Sequence, residues 1–229
     1  MTVFYAVGKA ITVPLAKGLW RPTITGRDNI PRSGGVILAS NHLSFIDSFA
    51  IPIASPRPVS FLAKSDYFTG TGVSGAIRRG FFVGSQAIPV DRHSSRAAQE
   101  SLELALEVLR EGRAFGIYPE GTRSRDGRIY RGRTGVAWLA LTAGVPVVPV
   151  GLVGTDKVQP VGAKLPSLAK VRVAFGTPIS PQRYAAMPAG RARRELTDQI
   201  MLAIATLSGQ ERVDARSEER RVGKECRSR

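Results

Sequence analysis

The chain has 229 residues, 43% of them hydrophobic, with 33 Lys plus Arg against 18 Asp plus Glu, two His and one Cys. That composition excludes a disordered or collagen-like chain, and a chain of this length buries roughly 70% of its unfolded surface, so it needs no disulfide or metal staple. The net charge of +15 points to an anionic partner, which leaves nucleic acid, an acidic membrane face and a phosphorylated substrate to be separated by motifs.

Residues 1–21 carry Val3, Val7, Ile11, Leu15 and Leu19 at four-residue spacing, with Phe4, Tyr5 and Trp20 beside them. This spacing lays an apolar stripe along one side of a helix. Lys9, Lys17 and Pro14 interrupt it, so no run reaches the roughly 18–20 apolar residues of a membrane span. No basic region precedes the apolar part, as a signal peptide would require. Two readings stand: an amphipathic segment lying in a membrane interface, or an ordinary core helix.

From there strand-like and helix-like segments alternate. Gly35–Ala39, Val59–Ala63, Ala87–Val90, Ala114–Tyr118, Val147–Val150 and Val171–Phe175 have strand length and β-branched or aromatic content. Helical spacing recurs at Ala98, Leu102, Ala105 and Leu109, ahead of Gly112, and at Leu196, Ile200, Ala203 and Leu207. The alternation predicts a single α/β domain over residues 22–210, with a largely buried sheet and with reactive groups in the loops that follow strands.

The loop after the first of these strands reads Ser40-Asn41-His42-Leu43-Ser44-Phe45-Ile46-Asp47. His42 and Asp47 are five apart, about 140° around a regular helix, so they meet only if the segment is a turn leading into a helix. Asp47 would then fix the imidazole tautomer and leave the other ring nitrogen as a base. Ser44 would cap the new helix, and amides of the turn would stabilise an oxyanion. The plainer alternative makes Asp47 a cap and His42 the filler of a polar gap.

Further on, Gly70-Thr71-Gly72-Val73-Ser74-Gly75 fits G-x-G-x-x-G with Asp91 some way beyond, but Ser65–Thr69 separates it from the strand that a dinucleotide site requires. It reads as a loop, with Arg78, Arg79, Phe81 and Phe82 as a basic and aromatic face. Gly72-Val73-Ser74-Gly75-Ala76 fails the G-x-S-x-G nucleophile pattern at its last position. Arg92 follows the strand Ala87–Val90, where it would face a cleft, and His93 reads as structural. His42 and His93 are the only His in the chain, and their context offers no metal-ligand spacing.

After the strand ending at Tyr118 comes Pro119-Glu120-Gly121-Thr122-Arg123-Ser124-Arg125-Asp126-Gly127. Gly121 permits a tight turn, Thr122 and Ser124 offer hydroxyls, and the planar Arg123 fork suits phosphate oxygens. Arg128, Arg131 and Arg133 beyond it read as solvated. Val145-Pro146-Val147-Val148-Pro149-Val150 is the rigid start of a buried strand. Zinc-finger spacing and RNP-like strings are absent and few aromatics accompany the Arg clusters, so nucleic acid is not expected as a partner. The final residues 216–229 lack apolar periodicity and resemble the translation of a sequencing adapter; they are read as a non-native tail. They hold six basic and three acidic residues and the only Cys, so the remaining chain is +12.

Taken in order, Asn41-His42 with Asp47, the Gly84–Arg92 segment, Glu120-Gly121-Thr122-Arg123-Ser124 and Val145–Val150 resemble the motifs of the 1-acylglycerol-3-phosphate acyltransferases, within the glycerolipid acyltransferase superfamily. Pro89 departs from the pattern, since an aromatic residue is usual there. The resemblance implies a glycerolphosphate acyltransferase-like mixed sheet flanked by helices. It implies His42 as general base, Asp47 as its partner, and Arg92 with Glu120, Gly121, Thr122, Arg123 and Ser124 as the phosphate-binding part of the acceptor site. It further implies acyl transfer from acyl-CoA or acyl-carrier protein to the sn-2 hydroxyl of lysophosphatidic acid, without cofactor or metal, on an anionic membrane surface at the cytoplasmic face of the cell membrane. A glycerol hydroxyl needs a base as it attacks, whereas a thiolate leaving group with a conjugate-acid pKa of roughly 8.5 needs no strong acid. One His and one carboxylate therefore suffice for direct transfer without an acyl-enzyme. Alternatives are another lysophospholipid or hydroxylated acceptor, or a non-catalytic module for anionic membranes.

Overall fold

In the computed structural model the β-rich runs pair into one seven-stranded mixed sheet, and residues 14, 18, 20–64, 87–90, 97–160 and 167–215 are described. Most of segment 1–21, the tail 216–229, the Gly70–Gly75 run, Arg78, Arg79, Arg92 and His93 lie outside the described residues. The strands are β1 (Thr23–Thr25), β2 (Val36–Ser40), β3 (Val59–Lys64), β4 (Ile88–Val90), β5 (Ala114–Ile117), β6 (Val147–Val153) and β7 (Arg172–Phe175). Their spatial order is β1-β7-β6-β2-β5-β3-β4. The pairs from β6 through β4 are parallel, β7 turns antiparallel to β6, and β1 runs parallel to β7.

The helices are α1 (Asp47–Ala54), α2 (Ala97–Arg110), α3 (Gly135–Ala143), the single turn α4 (Thr155–Val158) and α5 (Ala189–Ser208). Side-chain alternation along the strands splits the core in two, as a sheet covered on both faces requires. Ile37, Ala39, Phe115 and Val147 pack with Leu109 of α2, Leu139 of α3 and Leu196 and Ile200 of α5. Leu38, Phe61, Val148 and Leu152 pack with Ile51 and Ala54 of α1. Every residue of β2 is buried, and each fully buried aliphatic side chain contributes about 1.5–3 kcal/mol, so the centre of the sheet is its most stable part.

All six expected strands form, with some ends unchanged and the others shifted by one to three residues. β1 was not anticipated: three residues on the sheet edge carry too little pattern. Nor was α3, because Gly-Val-Ala-Trp-Leu-Ala-Leu-Thr-Ala is apolar on nearly every side and so lacks a period. The domain also continues past the expected boundary at 210. Residues 211–215 pair with the segment after the Glu120 loop, through Ile129 N–H to Glu211 O (2.9 Å), Val213 N–H to Ile129 O (2.8 Å) and Arg131 N–H to Ala215 O (3.0 Å). Among the described residues no helix is long and apolar enough to cross a membrane.

Candidate active site

Because β2 and β5 are parallel neighbours, with Ala39 opposite Ile117, the loops that follow them emerge side by side at the carboxyl edge of the sheet, where α/β folds place their sites. Asn41 extends the pairing of β2 with β6 by one side-chain rung. Its Nδ2 donates to Leu152 O (2.9 Å) and its Oδ1 accepts from Leu152 N–H (2.8 Å). That anchors the chain one residue before His42.

The turn then brings His42 Nδ1 to 2.8 Å from Asp47 Oδ2. The same oxygen accepts from the amides of Leu43 (2.7 Å) and Ser44 (2.8 Å). An oxygen that already receives two N–H groups is an acceptor, so Nδ1 carries the hydrogen, and in the neutral ring the lone pair falls on Nε2. The His42 side chain is 18% exposed while that of Asp47 is fully buried, so a substrate can reach the imidazole but not the carboxylate. This is the turn-into-helix geometry that lets the two residues meet, and α1 begins at Asp47 itself.

One local expectation fails here and another narrows. Ser44 is not the helix cap, because Ile46 occupies that position; the Ser44 hydroxyl instead donates to Gln159 O at 2.9 Å. Three of the turn's amides are already engaged and so are not free for an oxyanion. Those of Leu43 and Ser44 are taken by Asp47, and Asp47 N–H bonds Ser44 O at 3.3 Å.

Tyr118, at the end of β5, forms the wall behind the imidazole. The two rings stack with centroids 3.9 Å apart and planes 11° from parallel. Phe61 backs Tyr118 at 5.6 Å and lies so close over Gly116 that a Cβ there would sit 2.1 Å from its ring. The Tyr118 hydroxyl meets Ser48 Oγ at 3.0 Å. Burial first, then the neighbouring Asp47 charge, hold its pKa well above the usual tyrosine value, so it stays neutral. Sequence reading identified Tyr118 only as a strand end; its position directly before Pro119-Glu120 was the available signal.

The Glu120–Ser124 loop is tied to the His42 backbone, with Ser124 N–H donating to His42 O at 2.7 Å. The expectation set all five residues against substrate phosphate, but the loop divides. Gly121, Thr122 and Arg123 are exposed, whereas Glu120 and Ser124 are 4% and 7% exposed. Glu120 Oε2 accepts from Tyr130 N–H at 2.9 Å, and Oε1 has no partner within hydrogen-bond geometry. Burial pushes the Glu120 pKa up to about 7, against the opposing pull of the Tyr130 and His42 amides. A buried carboxylate repels phosphate, so Glu120 suits bracing of the loop better than contact with an anion. Gly121 turns the loop at φ +75, and a Cβ there would lie 2.8 Å from Arg133 Nε, so no other residue fits without strain. No hydrogen bond or ion pair engages Arg123 among the described residues, which leaves its fork available. Arg128, Arg131 and Arg133 are exposed, as read.

The same turn opens on its other side into an apolar groove of about 310 Å³, lined by Phe45, Ile46, Phe49 and Ile53 with Trp20 and Val158 among the opposing residues. Its dimensions and chemistry suit hydrocarbon.

Residues 21–153 match the family model described as Acyltransferase. A chloroplastic 1-acyl-sn-glycerol-3-phosphate acyltransferase of Brassica napus is 30% identical over 162 residues, covering 70% of this chain and 45% of that protein. One from Borreliella burgdorferi is 33% identical over 133 residues, covering 58% of this chain and 51% of that protein. The chain thus spans about half the length of these two relatives. Among solved structures, the 1-acyl-sn-glycerophosphate acyltransferase of Thermotoga maritima superposes with a TM-score of 0.64 at 22% identity, covering 88% of this chain and 80% of that one. That likeness matches the expected mixed sheet flanked by helices.

Proposed function

The chain belongs to the acyltransferase family, and on that premise we propose that it moves a fatty acyl group from acyl-CoA or acyl-carrier protein to the sn-2 hydroxyl of 1-acyl-sn-glycerol-3-phosphate, giving phosphatidic acid. The observation that carries the reading is His42, held through Nδ1 by buried Asp47 while its side chain stays partly exposed. The acceptor hydroxyl lies against Nε2 and gives up its proton as its oxygen attacks the thioester carbonyl. Asp47 stabilises the resulting imidazolium. The tetrahedral adduct collapses, the C–S bond breaks, and the thiolate takes a proton from the imidazolium. No acyl-enzyme and no cofactor enter.

Arg123, exposed beside His42 on the loop that Ser124 fastens, binds the acceptor phosphate, with Thr122 supporting it; Arg92 is assigned to the same role. The apolar groove that begins at Phe45 supports a substrate with a long hydrocarbon chain. The basic surface supports work at an anionic membrane, at its cytoplasmic face. The names of the relatives favour lysophosphatidic acid over other acceptors.

The test is the protein incubated with acyl-CoA or acyl-carrier protein and 1-acyl-sn-glycerol-3-phosphate, with products read by mass spectrometry. Phosphatidic acid is expected, and its formation is lost in His42→Ala. Absence of product with every donor would overturn the reading; product only with a different lysophospholipid would move the acceptor.

A further inference from the structure

One residue that no motif contains reaches both halves of the site. Helix α5 ends at Ser208 and is capped by Gly209, whose φ of +73 reverses the chain, and the next residue turns its side chain inward. Gln210 Oε1 accepts from Asn41 Nδ2 at 2.7 Å. Gln210 Nε2 donates to Gly127 O at 2.7 Å. Asn41 adjoins His42, and Gly127 closes the loop that carries Glu120, Thr122 and Arg123.

We infer that Gln210 is a positioning residue that locks the His42 turn to the Glu120–Gly127 loop, and so sets the distance between the base and the groups that hold the acceptor's anionic end. This rests on the acyltransferase reading above. The partners fix the chemistry required. Asn41 Nδ2 is a donor only, one of its hydrogens being committed to Leu152 O, and Gly127 O is an acceptor only. A side chain that serves both must present one acceptor and one donor from a single planar group, which an amide does and a carboxylate, a thioether or a cation does not. The strap that follows reinforces the link. Its pairing with Ile129 and Arg131 flanks Tyr130, whose amide holds Glu120 Oε2. Asn41 and Gln210 are 169 residues apart, so this contact exists only in the folded chain.

Positions held this way matter because small displacements at a site cost rate steeply. Gln210→Met, similar in volume but lacking both bonds, is expected to lower kcat/KM for 1-acyl-sn-glycerol-3-phosphate about ten-fold. Gln210→Glu keeps the acceptor for Asn41 and sets an oxygen against Gly127 O. It is expected to raise the acceptor KM while kcat stays within about two-fold. Hydrogen exchange on the full chain should quicken in peptides covering 120–130 in both variants, while those covering α3 stay as in wild type. Unchanged kinetics, or slower kinetics without faster exchange at 120–130, would overturn the assignment. Should wild type transfer no acyl group, the acyltransferase reading falls. The exchange comparison still decides whether Gln210 couples the two loops.

Discussion

His42 and Tyr118 lie face to face, rings 3.9 Å apart, although 76 residues separate them in the chain. Asp47 fixes one edge of the imidazole through Nδ1, and the tyrosine face limits its rotation about the remaining axis. The imidazole is therefore constrained by one hydrogen bond and one flat contact, which do different work.

If the flat contact sets the ring's attitude, Tyr118→Phe keeps it and loses only the Ser48 bond. Its kcat should stay within about three-fold of wild type, while Tyr118→Leu should fall about ten-fold with KM little changed. Steady-state kinetics on both variants decide it. Equal activity in the two would mean that the stack does not orient the base.

Asp47 serves the tautomer and the turn together. Asp47→Asn can set its carbonyl oxygen where Oδ2 takes all three N–H groups, but it removes the negative charge that stabilises the imidazolium, and should lower kcat by roughly 10³-fold. Asp47→Ala leaves the Leu43 and Ser44 amides buried without their acceptor and should cost about 3 kcal/mol of stability in denaturant unfolding. An Asn variant with near-normal turnover would remove Asp47 from the mechanism.

Glu120 predicts a pH dependence of stability. Its folded pKa of about 7 lies above the ordinary 4.5, so the folded state holds this proton more tightly than the unfolded one. Its stabilising contribution is complete below about pH 4.5 and is lost as pH rises through 7, a change of up to about 3 kcal/mol. Unfolding curves between pH 5 and 8 should fall with pH more steeply in wild type than in Glu120→Gln. Parallel pH dependences would show that the carboxyl titrates normally.

Arg123 is an exposed cation of the loop. Arg123→Ala should raise the acceptor KM roughly ten- to hundred-fold, and Lys should restore only part of it, because an ammonium cannot form the two-pronged phosphate contact. A fall in kcat with KM unchanged would place Arg123 elsewhere in the reaction. Vesicle sedimentation adds an independent check. Binding to anionic vesicles should weaken at high salt and after deletion of residues 1–20, and binding unaffected by the deletion would reject that segment as an anchor.

The His42–Asp47 pair was legible because it is local: five residues and a turn settle it, and no distant strand is needed to see it. The six main strands were legible for a similar reason, since buried parallel strands are short continuous apolar runs bounded by turn residues. Helix α3 was not, because a segment buried on nearly all sides carries no period. The inward turn of Glu120 was also invisible. A Glu in a loop reads as exposed until the Tyr130 amide is placed against it.

By itself the sequence determined the order of the motifs, the α/β class and the chemistry available at each loop. Only the tertiary structure decided which of those groups meet. The order β6-β2-β5 puts the ends of three strands together, so that Ser124 reaches the His42 carbonyl, Tyr118 its ring and Gln210 the Asn41 amide. Strand order and register are set by the summed burial of two core faces, a property of the whole sheet that no single stretch of residues encodes.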